Sequence, residues 1–238
     1  MTAVAGDESA RELAACVWSF RLGSELEAAQ RFRALAPRLR AAGASETIVG
    51  MAEEAAADEL RHAELCRQLV RHFGGDLRPG PEVALRWKAP AVVQGRERLL
   101  YEVVALSCVT ETLSTALLGE LVARATDPMC RQAMHSILRD EVNHSRLGWA
   151  FLAEEHARVA RDCVGPHLPA MLEATLGDEL FRVPRGSDPR LAELAGLGSL
   201  ERADRLRVVR EALQSVIFPG LELFGIETAF GRRWLDAR

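Results

Sequence analysis

Two short segments repeat the same order of side chains able to do chemistry: Asp58-Glu59-Leu60-Arg61-His62 and Asp140-Glu141-Val142-Asn143-His144. Both read Asp-Glu-x-x-His. Residues three apart on a helix share a face, so each Glu and His pair can offer a carboxylate oxygen and an imidazole nitrogen to one metal centre. In a chain with 6 histidines, two copies that both carry a preceding Asp are a pattern that chance rarely produces. Each motif also lies on the apolar stripe of its helix. Met51, Ala55, Glu59, His62, Cys66 and Leu69 share one face, and Met134, Ile137, Glu141, His144, Gly148 and Phe151 share another. A carboxylate turned inward on such a face is costly unless it is paired or ligates a metal.

Two further acids complete the pattern. Glu25 is the lone acid on a stripe of Trp18, Leu22, Ala29 and Phe32, and Glu111 is the lone acid among Val104, Cys108, Thr115 and Leu118. In an antiparallel hairpin two residues meet when they are equidistant from the turn. Residue 42 lies midway between Glu25 and Glu59, beside Gly43, and residue 126 lies midway between Glu111 and Glu141, beside Asp127-Pro128. Both pairs therefore sit at matching levels, each about 20 to 25 Å from its turn at ~1.5 Å per residue. Four Glu and two His at one level form the ligand set of a di-iron or di-manganese carboxylate site, Glu25, Glu59, His62, Glu111, Glu141 and His144, and the same six residues are the candidate catalytic residues. The expected arrangement has Glu59 and Glu141 bridging, Glu25 and His62 on one metal, and Glu111 and His144 on the other. Asp58 and Asp140 are candidates to accept a hydrogen bond from the free ring nitrogen of the opposite hairpin's histidine.

The elements that must position these residues are helices. Ala, Leu, Glu and Arg dominate and β-branched runs are scarce, so the fold class is all-α. The pattern predicts helices over 8–36, weakened by Pro37, and over 45–73, with Ser45 as N-cap and Gly74-Gly75 as stop. A proline-containing crossover over 76–94 leads to a third helix over 96–125. Asp127-Pro128 then starts a fourth, running to Val164. Beyond Gly165-Pro166, helices are predicted over 169–180, 200–216 and 221–235, with a loop at 183–189 and a break at Pro219-Gly220. Residues 1–164 thus read as a four-helix bundle holding a dinuclear site, and 165–238 as a helical extension packed on it.

Composition narrows the function classes. With 48% apolar, 27% charged and 5% aromatic residues, the 238-residue chain is of the globular class. No uninterrupted apolar run approaches the ~18 residues of a membrane span, and the opening residues lack the pattern of a secretory signal, so the expected location is cytoplasmic, with no membrane partner. A net charge of -4 with interspersed signs gives no field for nucleic acid. The 5 cysteines include no Cys-x-x-Cys, which argues against a disulfide framework, a zinc ribbon or a rubredoxin-type iron centre.

On two copies of a Glu followed about 30 residues later by Asp-Glu-x-x-His, the chain resembles the ferritin-like di-iron superfamily, which includes rubrerythrins, bacterioferritins and di-iron arylamine N-oxygenases. The resemblance covers 8–164 and implies a ferritin-like antiparallel bundle with oxygen or peroxide chemistry at two irons, manganese being compatible. The chain departs from each subfamily. Ser114 stands where rubrerythrins resembling this pattern carry an extra Glu, Leu60 where bacterioferritins carry a haem-binding Met, and Ile137 where arylamine N-oxygenases carry a further His. Tyr101, the only tyrosine, is ten residues from Glu111, too distant for a radical site beside the metals. Trp18 is either packed core or an electron relay. Small and apolar neighbours of the ligands (Ala28, Ala29, Ala55, Cys66, Cys108, Thr115, Ile137, Gly148) suit a small organic substrate or a closed core. In the extension, Glu222 and Glu227 are expected to face solvent, with an approach to the site as the alternative. The leading expectation is a di-iron oxidoreductase that uses O2 or peroxide to oxidise a small, mainly apolar substrate, with an unidentified electron donor and a homodimer compatible. A ferroxidase or peroxide-scavenging protein is the first alternative. A non-catalytic helical binding module stapled by metal is the second.

Overall fold

The structure is a computed structural model, described here for residues 3–76, 89–155, 163–176 and 194–238. Four long helices form the bundle: α1 (Ala3–Ala41), α2 (Glu46–His72), α3 (Gly95–Arg124) and α4 (Pro128–Glu155). Three more follow: α5 (Leu168–Leu176), α6 (202–223) and α7 (Ala229–Asp236). No strand occurs among the described residues. The crossover residues 77–88, residues 156–162 at the expected end of the fourth helix, and the end of the helix and the loop predicted within 177–193 lie outside them.

The first hairpin turns where the midpoint arithmetic requires. Pro37 does not end α1, because Leu35, Ala36 and Leu39 around it are buried against α2 and tertiary packing outweighs the lost backbone bond. The helix closes at Gly43, with φ of +76° and the Ala44 N–H donating to the Leu39 carbonyl at 3.1 Å. Ser45 then caps α2, its hydroxyl accepting from the Ile48 N–H. The second hairpin is equally local: the Asp127 carboxylate accepts from the Cys130 N–H at 2.9 Å and lies 3.0 Å from His72 Nε2.

Helix α3 departs from simple periodicity. Residues Val104–Glu111 form a π-helical stretch, in which the Thr110 hydroxyl donates to the Ala105 carbonyl. The wide turns bring α3 against α4 at Gly148, where an added Cβ would meet Cys108 Sγ at 2.6 Å and the Cys108 nitrogen at 2.9 Å. By length and composition α3 passes for a membrane span, with mean hydropathy 1.3 over its most apolar window, but Glu111 interrupts the apolar run and most of the window is buried inside the protein. Its apolar residues Val103, Val104, Leu106 and Val109 are buried in the bundle core.

The bundle core divides into two apolar clusters. One contains Phe32, Leu35, Ile48, Val49, Leu100, Val104, Leu147 and Phe151, and it continues into Leu168 and Leu172 of α5, Leu213, Ile217 and Phe218 of α6, and Trp234 of α7. The other contains Trp18, Cys66, Leu69, Leu118, Leu121, Met134 and Ile137, together with Leu194 and Leu200. The candidate ligands lie between them in sequence on α1, α2 and α4, and on α3 Glu111 lies near the end of the first cluster's run, which closes at Leu113. The C-terminal segment is tied down by polar contacts as well: Trp18 Nε1 donates to the Leu197 carbonyl at 2.8 Å, and the Thr126 N–H to the Gly196 carbonyl at 3.0 Å. The expected break at Pro219-Gly220 is absent. A π-helical stretch, Leu213–Ile217, opens the backbone ladder just before Pro219, and the helix continues through it to Leu223. The chain turns instead at Gly225, φ +76°, and Glu222 and Glu227 are exposed there, Glu222 pairing with Thr228 and Arg232.

Candidate metal centre

The six expected ligands, from four helices, meet at one level. Their donor atoms fall into two groups, Glu25, Glu59, His62 and Glu141, and Glu59, Glu111, Glu141 and His144, each with all atoms within 4.8 Å of one another. Glu59 and Glu141 belong to both. His62 Nδ1 lies 3.3 Å from Glu59, 3.8 Å from Glu25 and 3.9 Å from Glu141. His144 Nδ1 lies 3.0 Å from Glu59 Oε1 and 3.3 Å from Glu141 Oε2. All are buried except Glu25, whose side chain retains 12% exposure.

The two rings are held from behind by the opposite hairpin. His62 Nε2 is 3.4 Å from Asp140 Oδ2, and His144 Nε2 is 3.3 Å from Asp58 Oδ2. A carboxylate only accepts, so each Nε2 carries a hydrogen toward its acid, and each Nδ1 is turned into the cluster. Arg61, whose role the sequence pattern did not reveal, bridges the two outer acids: its guanidinium pairs with Asp58 and lies 3.2 Å from Asp140. Its place inside the first motif, with Asn143 at the equivalent position of the second, was the available signal.

The electrostatics of the metal-free cluster are those of too many acids in too little water. Burial, reinforced by repulsion from Glu59 and Glu141, holds the Glu25 carboxyl well above the carboxylate range, and burial with repulsion from Glu141 and Glu59 does the same to Glu111. Burial pushes Glu59 the same way, but the close approach of His144, His62 and Glu25 outweighs it and brings it down to about 2. Burial opposes the charge on His144, yet Glu141 and Glu59 lift it to about 10, and Glu59 raises His62 likewise. Protons thus hold the cluster together. Even so, Glu59 Oε1, Glu111 Oε1, Glu141 Oε2 and His144 Nδ1 have no hydrogen-bond partner, although Glu59 Oε1 and His144 Nδ1 are only 3.0 Å apart and misaligned. These four buried atoms of ligand type, converging without a hydrogen-bond partner, fit a pair of divalent cations that would displace the cluster's protons and whose charge four carboxylates would offset.

A family model described as rubrerythrin matches residues 21–151, more than half of the chain and all six cluster residues. This chain belongs to the rubrerythrin family. It is a rubrerythrin-family member of the ferritin-like di-iron superfamily whose bundle carries additional helices. A solved structure from Synechococcus, described as protein 19 with aldehyde deformylating oxidase activity, is similar over 96% of this chain and 97% of its own, with a TM-score of 0.65 and 16% identity. That likeness establishes a shared fold, C-terminal helices included. No curated protein matches the sequence.

Beside the cluster of this rubrerythrin relative lies a cavity of about 450 Å³ between α1 and α3. Glu25, Glu59, Glu111 and Glu141 form its inner end, Leu113, Leu117, Leu118 and Leu121 line its length, and Thr175, Leu176, Gly198, Ser199, Leu200 and Arg205 roof it. The C-terminal segment therefore supplies a wall of the cavity. Ser114, at the position of the family's extra Glu, also faces it. Of the small neighbours considered as a substrate lining, only Ala28 borders this space, while Ala29, Ala55, Cys66, Cys108 and Ile137 are closed core. Trp18 is fully buried, and Tyr101 packs edge-on against His167.

Proposed function

We propose that this chain is a non-haem di-iron oxidase or oxygenase that uses O2 or peroxide to oxidise a small, mainly apolar organic substrate held in the cavity. The observation that carries the reading is the adjacency of the orphaned ligand atoms to a lined, roofed space large enough for such a molecule. Glu25 and His62 would hold one iron, Glu111 and His144 the other, with Glu59 and Glu141 shared; the same oxygen and imidazole donors accept manganese. When bound, the metals supply redox chemistry toward O2 or peroxide.

The protein's own contribution is placement. Asp58 and Asp140 orient the imidazoles, so that Nδ1 is presented without the ring having to turn. The leucines of α3 keep water from the substrate and leave the glutamate end as its polar boundary. Reduction of O2 to water takes four electrons; a two-electron substrate oxidation supplies half, and an electron donor must supply the rest, whereas peroxide needs only the substrate's two.

Anaerobic loading with Fe(II), followed by exposure to O2 under optical and Mössbauer observation, tests the reading. About two irons per chain, and oxidation that consumes O2, are expected. Failure to bind iron overturns the site, as does normal iron binding by Glu59→Ala or Glu141→Ala. A large hollow assembly that accumulates ferric mineral would favour the ferroxidase reading. Loss of thermal stability on metal removal, with no O2 consumption when metal is present, would favour the stapled binding module.

A further inference from the structure

The cavity is a slot with a polarity. Its inner end holds four glutamates, and its only other charged lining residues among those described are Arg21 and Arg205. Arg21 sits one turn before Glu25 on α1, but its guanidinium turns away from the cluster: it stacks over the Trp18 ring at 5.2 Å, and Nη2 lies 3.4 Å from the Gly198 carbonyl. Arg21 is four residues from Glu25 and turns toward Trp18, so this positive charge lies about one to two helical turns along the slot from the glutamate end. Among the described residues the Gly198 carbonyl is its only hydrogen-bond acceptor, and no carboxylate pairs with it. Arg205 lines the roof. With two divalent metals offsetting the four glutamates, the charge of Arg21 is left facing the slot. Leu117, Leu118, Leu121 and Leu200 line the apolar passage.

Resting on the reading above, we infer that the substrate is an amphipathic carboxylate, its anionic group held by Arg21 and its apolar body directed along the slot toward the metals. Arginine's planar fork suits a carboxylate, and the interaction gains strength where the leucines and the roof exclude water. The anchor also fixes which end reacts: the carbons remote from the carboxylate reach the glutamate end.

The test uses anaerobic Fe(II)-loaded protein and equilibrium binding of octanoate, 1-octanol and octylamine. Octanoate is expected to bind at least about tenfold tighter than octanol, with octylamine weakest. Arg21→Gln should reduce octanoate to the level of octanol, and Arg21→Lys should retain part of the preference, both with unchanged iron stoichiometry. Leu117→Trp, which fills the passage and leaves Arg21 in place, should weaken both octanoate and octanol. Equal binding of octanoate and octanol overturns the inference. So does an Arg21→Gln variant that keeps the preference, as it would if octanoate simply ligated iron, or a Leu117→Trp variant that binds normally. An iron-replete protein with no head-group preference would sink this inference alone, whereas wild-type protein that binds no iron would sink the functional reading beneath it.

Discussion

Removing Asp140 deletes the acceptor behind one imidazole and leaves the six cluster residues intact. In the native arrangement His62 Nε2 faces Asp140 Oδ2 at 3.4 Å, and the ring is buried, so Asp140→Ala leaves a buried N–H unpaired and frees the ring to turn or change tautomer. Loss of such an outer partner typically lowers metal affinity about tenfold to a hundredfold, or about 1.4 to 2.8 kcal/mol. Asp58→Ala should cost a similar amount through His144, whose contact is 3.3 Å, but at the other half of the cluster. Each single variant should therefore turn a two-step metal titration into one tight and one weakened step. Asp140→Asn keeps an oxygen in place and should recover most of the loss. Arg61→Ala touches both acids, yet its side chain is 57% exposed, so its pairs are screened and the expected loss stays within about fivefold. The assay is anaerobic Fe(II) or Mn(II) titration against a chelator of known affinity. Asp140→Ala and Asp58→Ala within twofold of the native chain, or Arg61→Ala worse than either, would refute the claim that the outer acids act by fixing the rings.

Two other expectations concern the cost of the empty cluster. Glu111 is buried with an orphaned oxygen and a carboxyl held in its protonated form by burial and by Glu141, so Glu111→Leu should stabilise the metal-free chain by about 1 kcal/mol or more while abolishing the second metal step, a trade measurable by thermal melts and metal titration. The pH dependence of metal-free stability follows from the same shifts. Glu25 and Glu111, raised above their ordinary range, and His144, raised to about 10, stabilise the fold below their unfolded values and lose that contribution as pH rises, whereas Glu59, lowered to about 2, loses its contribution only in strong acid. The metal-free Tm should fall between pH 6 and about 10, while the gap between metal-loaded and metal-free Tm widens, because metal binding requires the protons to leave. A metal-free Tm that rises over that interval would contradict the proton-held cluster.

Helix type, hairpin turns and the level of the cluster were legible in the sequence because each depends on local chemistry. Ser45 and Asp127 cap helices through their own neighbouring N–H groups, and the glutamates and histidines follow helical spacing on apolar faces. Midpoints at residues 42 and 126 then bring the helices into register without reference to any long-range contact. The π-helical stretches, Val104–Glu111 and Leu213–Ile217, left no such trace, since a wide turn changes the ladder without changing the residue types that favour helix. Pro219 was misread for that reason.

What the sequence determined by itself is therefore the donor set and its level in an all-helical bundle: short-range spacing fixes which side chains share a face, and burial makes unpaired carboxylates too costly to serve as packing alone. Only the tertiary structure decided the rest. Arg61 reaches Asp140 across the hairpins, the space for a substrate opens between α1 and α3 rather than among the small neighbours of the ligands, and Gly198 to Leu200 roof it. Those features depend on residues 79 to 177 positions apart in sequence meeting in space, and no periodicity along a single helix encodes such a meeting.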